Sequence, residues 1–117
     1  MDLRPERTGN VTVIRLSGKL DTDAAQALRD QLYDYCGSTP GHTILDLTHA
    51  VYVSSYLIGV LVGAYKRLAA TGSQLHLVGV HGTVQTVLAV SGLEEVFPRH
   101  ESLESGIAHF NAQGVPA

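Results

Sequence analysis

Along this chain the spacing of apolar residues changes period several times, and each change marks an element. VTVIRLS carries Val11, Val13 and Leu16 in a run rich in β-branched residues, as a strand requires. Residues 3–7 are weakly strand-like, and Thr8-Gly9-Asn10 between the two reads as a hairpin turn. Gly18-Lys19-Leu20-Asp21 then leaves the strand. Asp23, with Gln26 three residues later, fits a capping box, and Ala25, Leu28 and Leu32 follow at spacings of three and four. This stripe predicts a helix facing a sheet, ending near Gly37 with Pro40-Gly41 beyond it.

TILDL, Thr43 to Leu47, is short and β-rich and reads as a central strand. From Ser55 the period becomes helical. Leu57, Leu61, Ala64 and Leu68 form one row, and Ile58, Val62, Tyr65 and Ala69 form the next, a wide face for burial. Gly59 and Gly63 lie one turn apart in this helix. Each costs about 1 kcal/mol in a helix interior, so close approach to a neighbouring backbone is the expected compensation. Thr71-Gly72 ends the helix, and Gln74 to Val78 returns as a strand. Thr83 is the expected cap of the next helix, with Val84, Val87 and Leu88 on its apolar face and Ser91-Gly92-Leu93 as its stop. Val96-Phe97 is a short strand candidate, and Ser102 or Ser105 would cap a last helix carrying Leu103, Ile107 and Phe110. The order ββαβαβαβα argues for an α/β domain with a mostly parallel sheet.

Composition narrows the function classes. The 117 residues suit one domain, 1–117, and 44% hydrophobic content with 16% charged supports a real core. A net charge of −3 leaves no footprint for nucleic acid or for an anionic membrane surface. Cys36 is the only cysteine, which fits a reducing cytosol, and MDLRPERTGN lacks the apolar stretch of a secretory signal. Val51 to Tyr65, the most apolar run, is shorter than the roughly 20 residues a spanning helix needs. A cytoplasmic protein without direct membrane binding is expected.

Catalytic signatures are missing. The chain has no P-loop and no dinucleotide-binding GxGxxG, and VSSYL lacks the glycines of a GxSxG elbow. An esterase using Ser54 or Ser55 would need His49, His76 or His81 placed beside it, with a carboxylate behind. No HExxH or CxxC points to a metal, and Asp46 with His49 falls on strand and loop, not on a helix face. Asp21 and Asp23 read as caps, and Glu94-Glu95 and Glu101/Glu104 as a solvated acidic face. Neither catalysis nor a metal is expected.

Ser54 and Ser55 stand where the central helix begins. Serine is a preferred N-cap, because its hydroxyl accepts a backbone N–H that the first turn leaves unpaired. The same helix start also tolerates a phosphate, which adds roughly −1.5 to −2 charges to whatever surface a partner meets. Residue chemistry alone leaves both roles open.

Four segments in order are similar to one family. VTVIRLSGKLDTDAAQAL resembles the opening strand, G-x-L-D and Ala/Thr-rich helix of the STAS domain of bacterial anti-sigma factor antagonists. TILDLTHAVYVSS resembles its DSSG signature region, IGVLVGAYKRLAATGSQLHLVGV its central helix and next strand, and VQTVLAVSGLEEVF its following helix. The resemblance implies a single STAS-like domain, a mixed, mostly parallel sheet of four to five strands with about four helices largely on one side. It implies binding to an anti-sigma factor that is a serine kinase, and thereby release of a sigma factor. A serine phosphatase would reset the switch. The kinase brings the ATP chemistry, so this chain needs no cofactor. Aligning Gly59-Val60-Leu61 with the family's pattern places Ser55 at the phosphorylatable serine, with Ser54 as the alternative acceptor. The family's aspartate, second serine and glycine are here Ser54, Tyr56 and Leu57. The implied partner surface comprises Leu20, Asp21 and Thr22, the loop His49–Val53 with His49, Tyr52 and Val53, and the helix start Ser54, Ser55, Tyr56 and Leu57. The altered signature keeps a second reading open, a non-phosphorylated STAS scaffold or accessory subunit of a transporter or signalling assembly.

Overall fold

Strand β2 (Val11–Arg15) anchors the architecture, because its side chains are buried on both faces of the sheet as far as Ile14. The computed structural model describes residues 4–38 and 41–112. β1 (Glu6–Thr8) pairs antiparallel with β2, the expected hairpin. β4 (His42–Asp46), β6 (Leu75–Val78) and β7 (Arg99–His100) extend the sheet in parallel, in the order β1-β2-β4-β6-β7. A second, two-stranded parallel sheet pairs β3 (Gly18–Leu20) with β5 (Ala50–Val53). The helices are α1 (Thr22–Ser38), α2 (Ser55–Ala69), α3 (Gly82–Val90) and α4 (Leu103–Ala112).

The two sheet faces carry different cores. Ile14, Leu45, Leu75 and Leu77 pack with Leu28 and Leu32 of α1, Leu57 and Leu61 of α2, and Val84 and Leu88 of α3. Val11, Val13, Ile44 and Val78 point the other way and meet Phe110 of α4. Alternation along each strand therefore places three helices on one face and one on the other.

Several local expectations shift. Gly18–Leu20 leaves β2 as expected but forms a strand of its own, β3, in the second sheet, and the stretch after His49 is not a loop but β5. The cap of α1 is Asp21, not Asp23: its Oδ1 accepts the Ala24 N–H at 3.0 Å and its carbonyl accepts the Ala25 N–H at 2.9 Å. α3 starts at Gly82, with His81 as an extended N-cap that makes no side-chain capping bond, so Thr83 lies inside the helix. Phe97 is a core side chain before β7, not part of a strand. Ser102 caps α4, its Oγ accepting the Ser105 N–H at 3.1 Å. Pro40 lies outside the described residues.

The α2 rows differ as well. Leu57, Leu61, Ala64 and Leu68 are all buried, but in the adjacent row Ile58 is buried while Tyr65 and Ala69 are exposed. Gly63 does make room, but for a side chain and not a backbone: a Cβ there would collide with the Tyr33 ring, over which Arg67 stacks at 3.7 Å. Gly59 faces solvent, and a Cβ there would meet nothing within 4 Å.

Gly79, just after β6, is the glycine the fold depends on. Its φ is +72°, and a Cβ there would fall 2.7 Å from Thr48 Cα and 2.8 Å from Thr48 N. Left-handed backbone costs an L-residue roughly 1–2 kcal/mol, and overpacking typically another 1–3 kcal/mol. Gly79→Ala should therefore lower stability by about 3 kcal/mol, read as a fall in the urea midpoint at unchanged m-value. A change below 1 kcal/mol would show that Thr48 can move aside.

Candidate functional site

The site is built from the turn that follows β4. Asp46, nearly buried, accepts the Thr48 N–H at 3.0 Å and the Thr48 hydroxyl at 2.5 Å through one carboxylate oxygen. The Leu47 N–H reaches the Val78 carbonyl at 2.8 Å, and the Ala50 N–H closes the turn on the Leu47 carbonyl at 3.0 Å. A His81 ring nitrogen bonds the Thr48 carbonyl at 2.8 Å. The turn is thus held from three sides, and it aims the chain into β5.

β5 then aligns with β3, Tyr52 beside Lys19 and Val53 beside Leu20, after a bulge at Gly18/Lys19. The Ser54 N–H continues the ladder to the Leu20 carbonyl at 2.9 Å. Since α1 begins directly after β3 and α2 directly after β5, two helix N-termini emerge side by side. Each carries its own cap. In α2 the cap is Ser54, with φ −83° and ψ 160°, whose Oγ accepts the Leu57 N–H at 3.2 Å. The first turn of α2 holds no acidic side chain to offset the positive end of the helix dipole.

The adjacent serines have different surroundings. Ser54 is 6% exposed and its hydroxyl is engaged in the cap. Ser55, the first helical residue, is exposed. Tyr56 is half-buried, and its hydroxyl accepts from Arg29 Nη1 at 2.9 Å, tying the start of α2 to α1. A hydrogen bond to Asp30 raises the Arg29 pKa above its ordinary value.

The expected contact residues divide by orientation. Thr22, His49 and Ser55 are exposed, Tyr52 is 37% exposed, and Asp21 and Tyr56 are half-buried. Leu20, Val53 and Leu57 are buried in the core, so they shape this surface from beneath and do not face a partner. Val51, inside the expected stretch His49–Val53, and Lys19, which sequence reasoning did not single out, complete the surface. Val51 is 64% exposed, and Lys19 sits over the Tyr52 ring at 5.9 Å. AVYV has the residue types of a buried strand, so nothing local signals that Val51 is solvent-facing.

The three histidines weighed for a serine triad separate. His81 is bound to Thr48, and His49 is exposed on the turn. His76 lies against Phe110 of α4, on the sheet face opposite α2. Among the described residues, no group of three or more His, Cys, Asp or Glu is arranged to hold a metal ion. No helix among them is long and apolar enough to cross a membrane.

Comparison with known proteins is consistent with this geometry. A STAS-domain-containing protein of Pseudomonas aeruginosa (strain UCBPP-PA14) is 29% identical over 93 residues, 80% of this chain and 91% of the relative. The anti-sigma F factor antagonist of Paenibacillus polymyxa is 26% identical over 103 residues, 87% of this chain and 88% of the relative. The solved structure of an anti-sigma-factor antagonist (STAS) domain protein from Planctomyces limnophilus superposes with a TM-score of 0.86 at 22% identity, covering 95% of this chain and 99% of that one. The STAS domain family model matches residues 2–106, nearly the whole chain, and the chain belongs to the STAS domain family.

Proposed function

We propose that this chain is an anti-sigma factor antagonist, a non-enzymatic cytoplasmic module that binds an anti-sigma factor and so frees its sigma factor. The similarity to the Paenibacillus polymyxa antagonist supports this reading at the level of function. The binding surface would be Lys19, Thr22, His49, Val51 and Tyr52 together with Ser55 and Tyr56 at the helix start. An apolar pair, Val51 and Tyr52, bordered by polar residues suits a protein partner better than a nucleic acid.

The partner would be a serine kinase that phosphorylates Ser55, with a serine phosphatase to reverse it. The observation that carries this assignment is the contrast between the two hydroxyls. Ser55 is exposed at the open end of a helix dipole, while Ser54 is buried and committed to the cap. The departure from the DSSG signature is compatible with a working switch. Ser54 keeps the capping role an aspartate would have, Leu57 is absorbed by the core, and Tyr56 is held by Arg29. A phosphate on Ser55 would leave the fold intact and act at the interface, by repulsion and by the cost of desolvating it.

Two measurements separate the roles. Ser54→Ala should destabilise the protein by about 1 kcal/mol in urea unfolding, whereas Ser55→Ala should stay within about 0.5 kcal/mol of wild type. Equal losses would mean that Ser55 is also structural. Titration calorimetry against a purified serine-kinase anti-sigma factor of the same organism tests the switch. Ser55→Asp should bind more than about a hundredfold more weakly, a penalty near 3 kcal/mol, while Ser55→Ala binds as wild type. Unchanged affinity of Ser55→Asp would overturn the switch and favour a constitutive scaffold.

A further inference from the structure

Four of the six histidines, distant in sequence, converge beneath α4. His76 is 2% exposed at the centre. Its ring centroid lies 5.1 Å from His100, 5.3 Å from His109 and 4.4 Å from Phe110. His42 stacks on the other aromatic partner, Phe110, at 4.5 Å and 11°. The cluster therefore joins β4, β6 and β7 to α4 through its rings.

Its hydrogen bonds fix where the protons sit. His76 Nε2 is 2.9 Å from Gln74 Oε1, an oxygen that can only accept, so Nε2 carries the hydrogen. Neutral His76 then presents a bare Nδ1, which accepts from His100 Nε2 at 2.9 Å. His42 Nδ1 accepts the Gln74 N–H at 3.0 Å and must also be bare. A second proton on His76 would be accommodated by His100 only after a change of tautomer, whereas one on His42 Nδ1 would expel the Gln74 N–H. The docked arrangement thus requires neutral His42, and a charge on buried His76 would lie 5.1 Å from the His100 ring and 5.3 Å from the His109 ring.

We propose that the histidine cluster is a proton-operated latch, which holds α4 on the sheet at neutral pH and releases it on acidification. Charge acts in the same direction as the hydrogen bonds. Burial, reinforced by His100 on β7, His109 on α4 and His42 on β4, pushes the His76 pKa down to about 4. Burial and His109 lower the pKa values of His100 and His42 as well. In the released state these imidazoles return toward their ordinary value near 6.5 and bind more protons than in the docked state. Docking is therefore at full strength above about pH 6.5, weakens as pH falls through that value, and stops weakening below about 4. At ten residues, α4 is too short to persist in isolation, so release also melts it. The sheet face of Val11, Val13, Ile44 and Val78 would then be uncovered.

Hydrogen–deuterium exchange between pH 7.5 and 4.5, corrected for intrinsic exchange rates, tests the latch without reference to any partner. Protection of the α4 amides should fall about a hundredfold at pH 4.5, while α2 keeps its protection. In His100→Gln and His109→Gln the drop should be smaller, because a neighbour that depresses the docked His76 pKa is gone. Parallel loss in α2 would mean acid unfolding of the whole domain and would overturn the latch, as would unchanged α4 protection. Should a variant fail to fold, NMR titration of the wild-type imidazoles decides. His76 titrating near 6.5 with α4 still protected would also overturn it.

Discussion

The alignment of Leu20 with Val53 in the small parallel sheet is the constraint on which the candidate site depends. It brings two strand ends together, and since each strand runs directly into a helix, it also brings together two helix N-termini. The ladder bond from the Ser54 N–H to the Leu20 carbonyl then fixes the entry to α2. Further back, the Asp46–Thr48 turn delivers β5 to that position, and Gly79 leaves the space in which the turn lies. A surface of small, exposed groups is thereby set by backbone pairing and buried leucines, not by contacts among the surface groups themselves. Such a surface can receive a charge without disturbing what lies beneath it.

The legible parts of the fold were those encoded by long local patterns. The α2 row Leu57, Leu61, Ala64 and Leu68 is buried as its period demands, and TILDL occupies the centre of the sheet. What escaped was non-local. β3 and β5 are three and four residues long, and each exists only because the other lies beside it far along the chain. The α1 cap shifted for the same reason. Asp21 and Asp23 are equivalent by residue type, and it is the end of the β3 ladder at Leu20 that selects Asp21. In the site, the serines and Tyr52 could be named from residue type and family resemblance. The exposure of Val51 and the inward orientation of Leu20, Val53 and Leu57 depend on the pairing of β5, which no local pattern contains.

The histidines show the same effect on chemistry. Read along the chain they look scattered, and a serine triad would need one of His49, His76 and His81 at the start of α2. The parallel order β4-β6-β7 instead stacks His42, His76 and His100 on the face that α4 covers, with His109 added from α4 itself. His49 and His81 remain at the turn on the way to β5. Topology, not sequence spacing, divides one residue type between two unrelated places in the fold.

That division also separates the two events that could act on this domain. A phosphate at Ser55 would change a surface above α2, whereas protons on the histidine cluster would act on the opposite face, beneath α4. Between them lie Ile14, Leu45 and Leu77, core side chains with no charge and no alternative hydrogen bonds. A close-packed apolar layer can resist deformation without carrying a charge signal of its own. Coupling between the faces would have to travel through strand displacement in β2, β4 or β6, the strands that contribute side chains to both cores. The Asp46 end of β4 is where that displacement would reach the site, because the turn to β5 hangs from it. The same strand from which that turn hangs supplies Ile44 to the core under α4, and it is paired in parallel on both sides, so any such displacement would have to shift β2 and β6 with it.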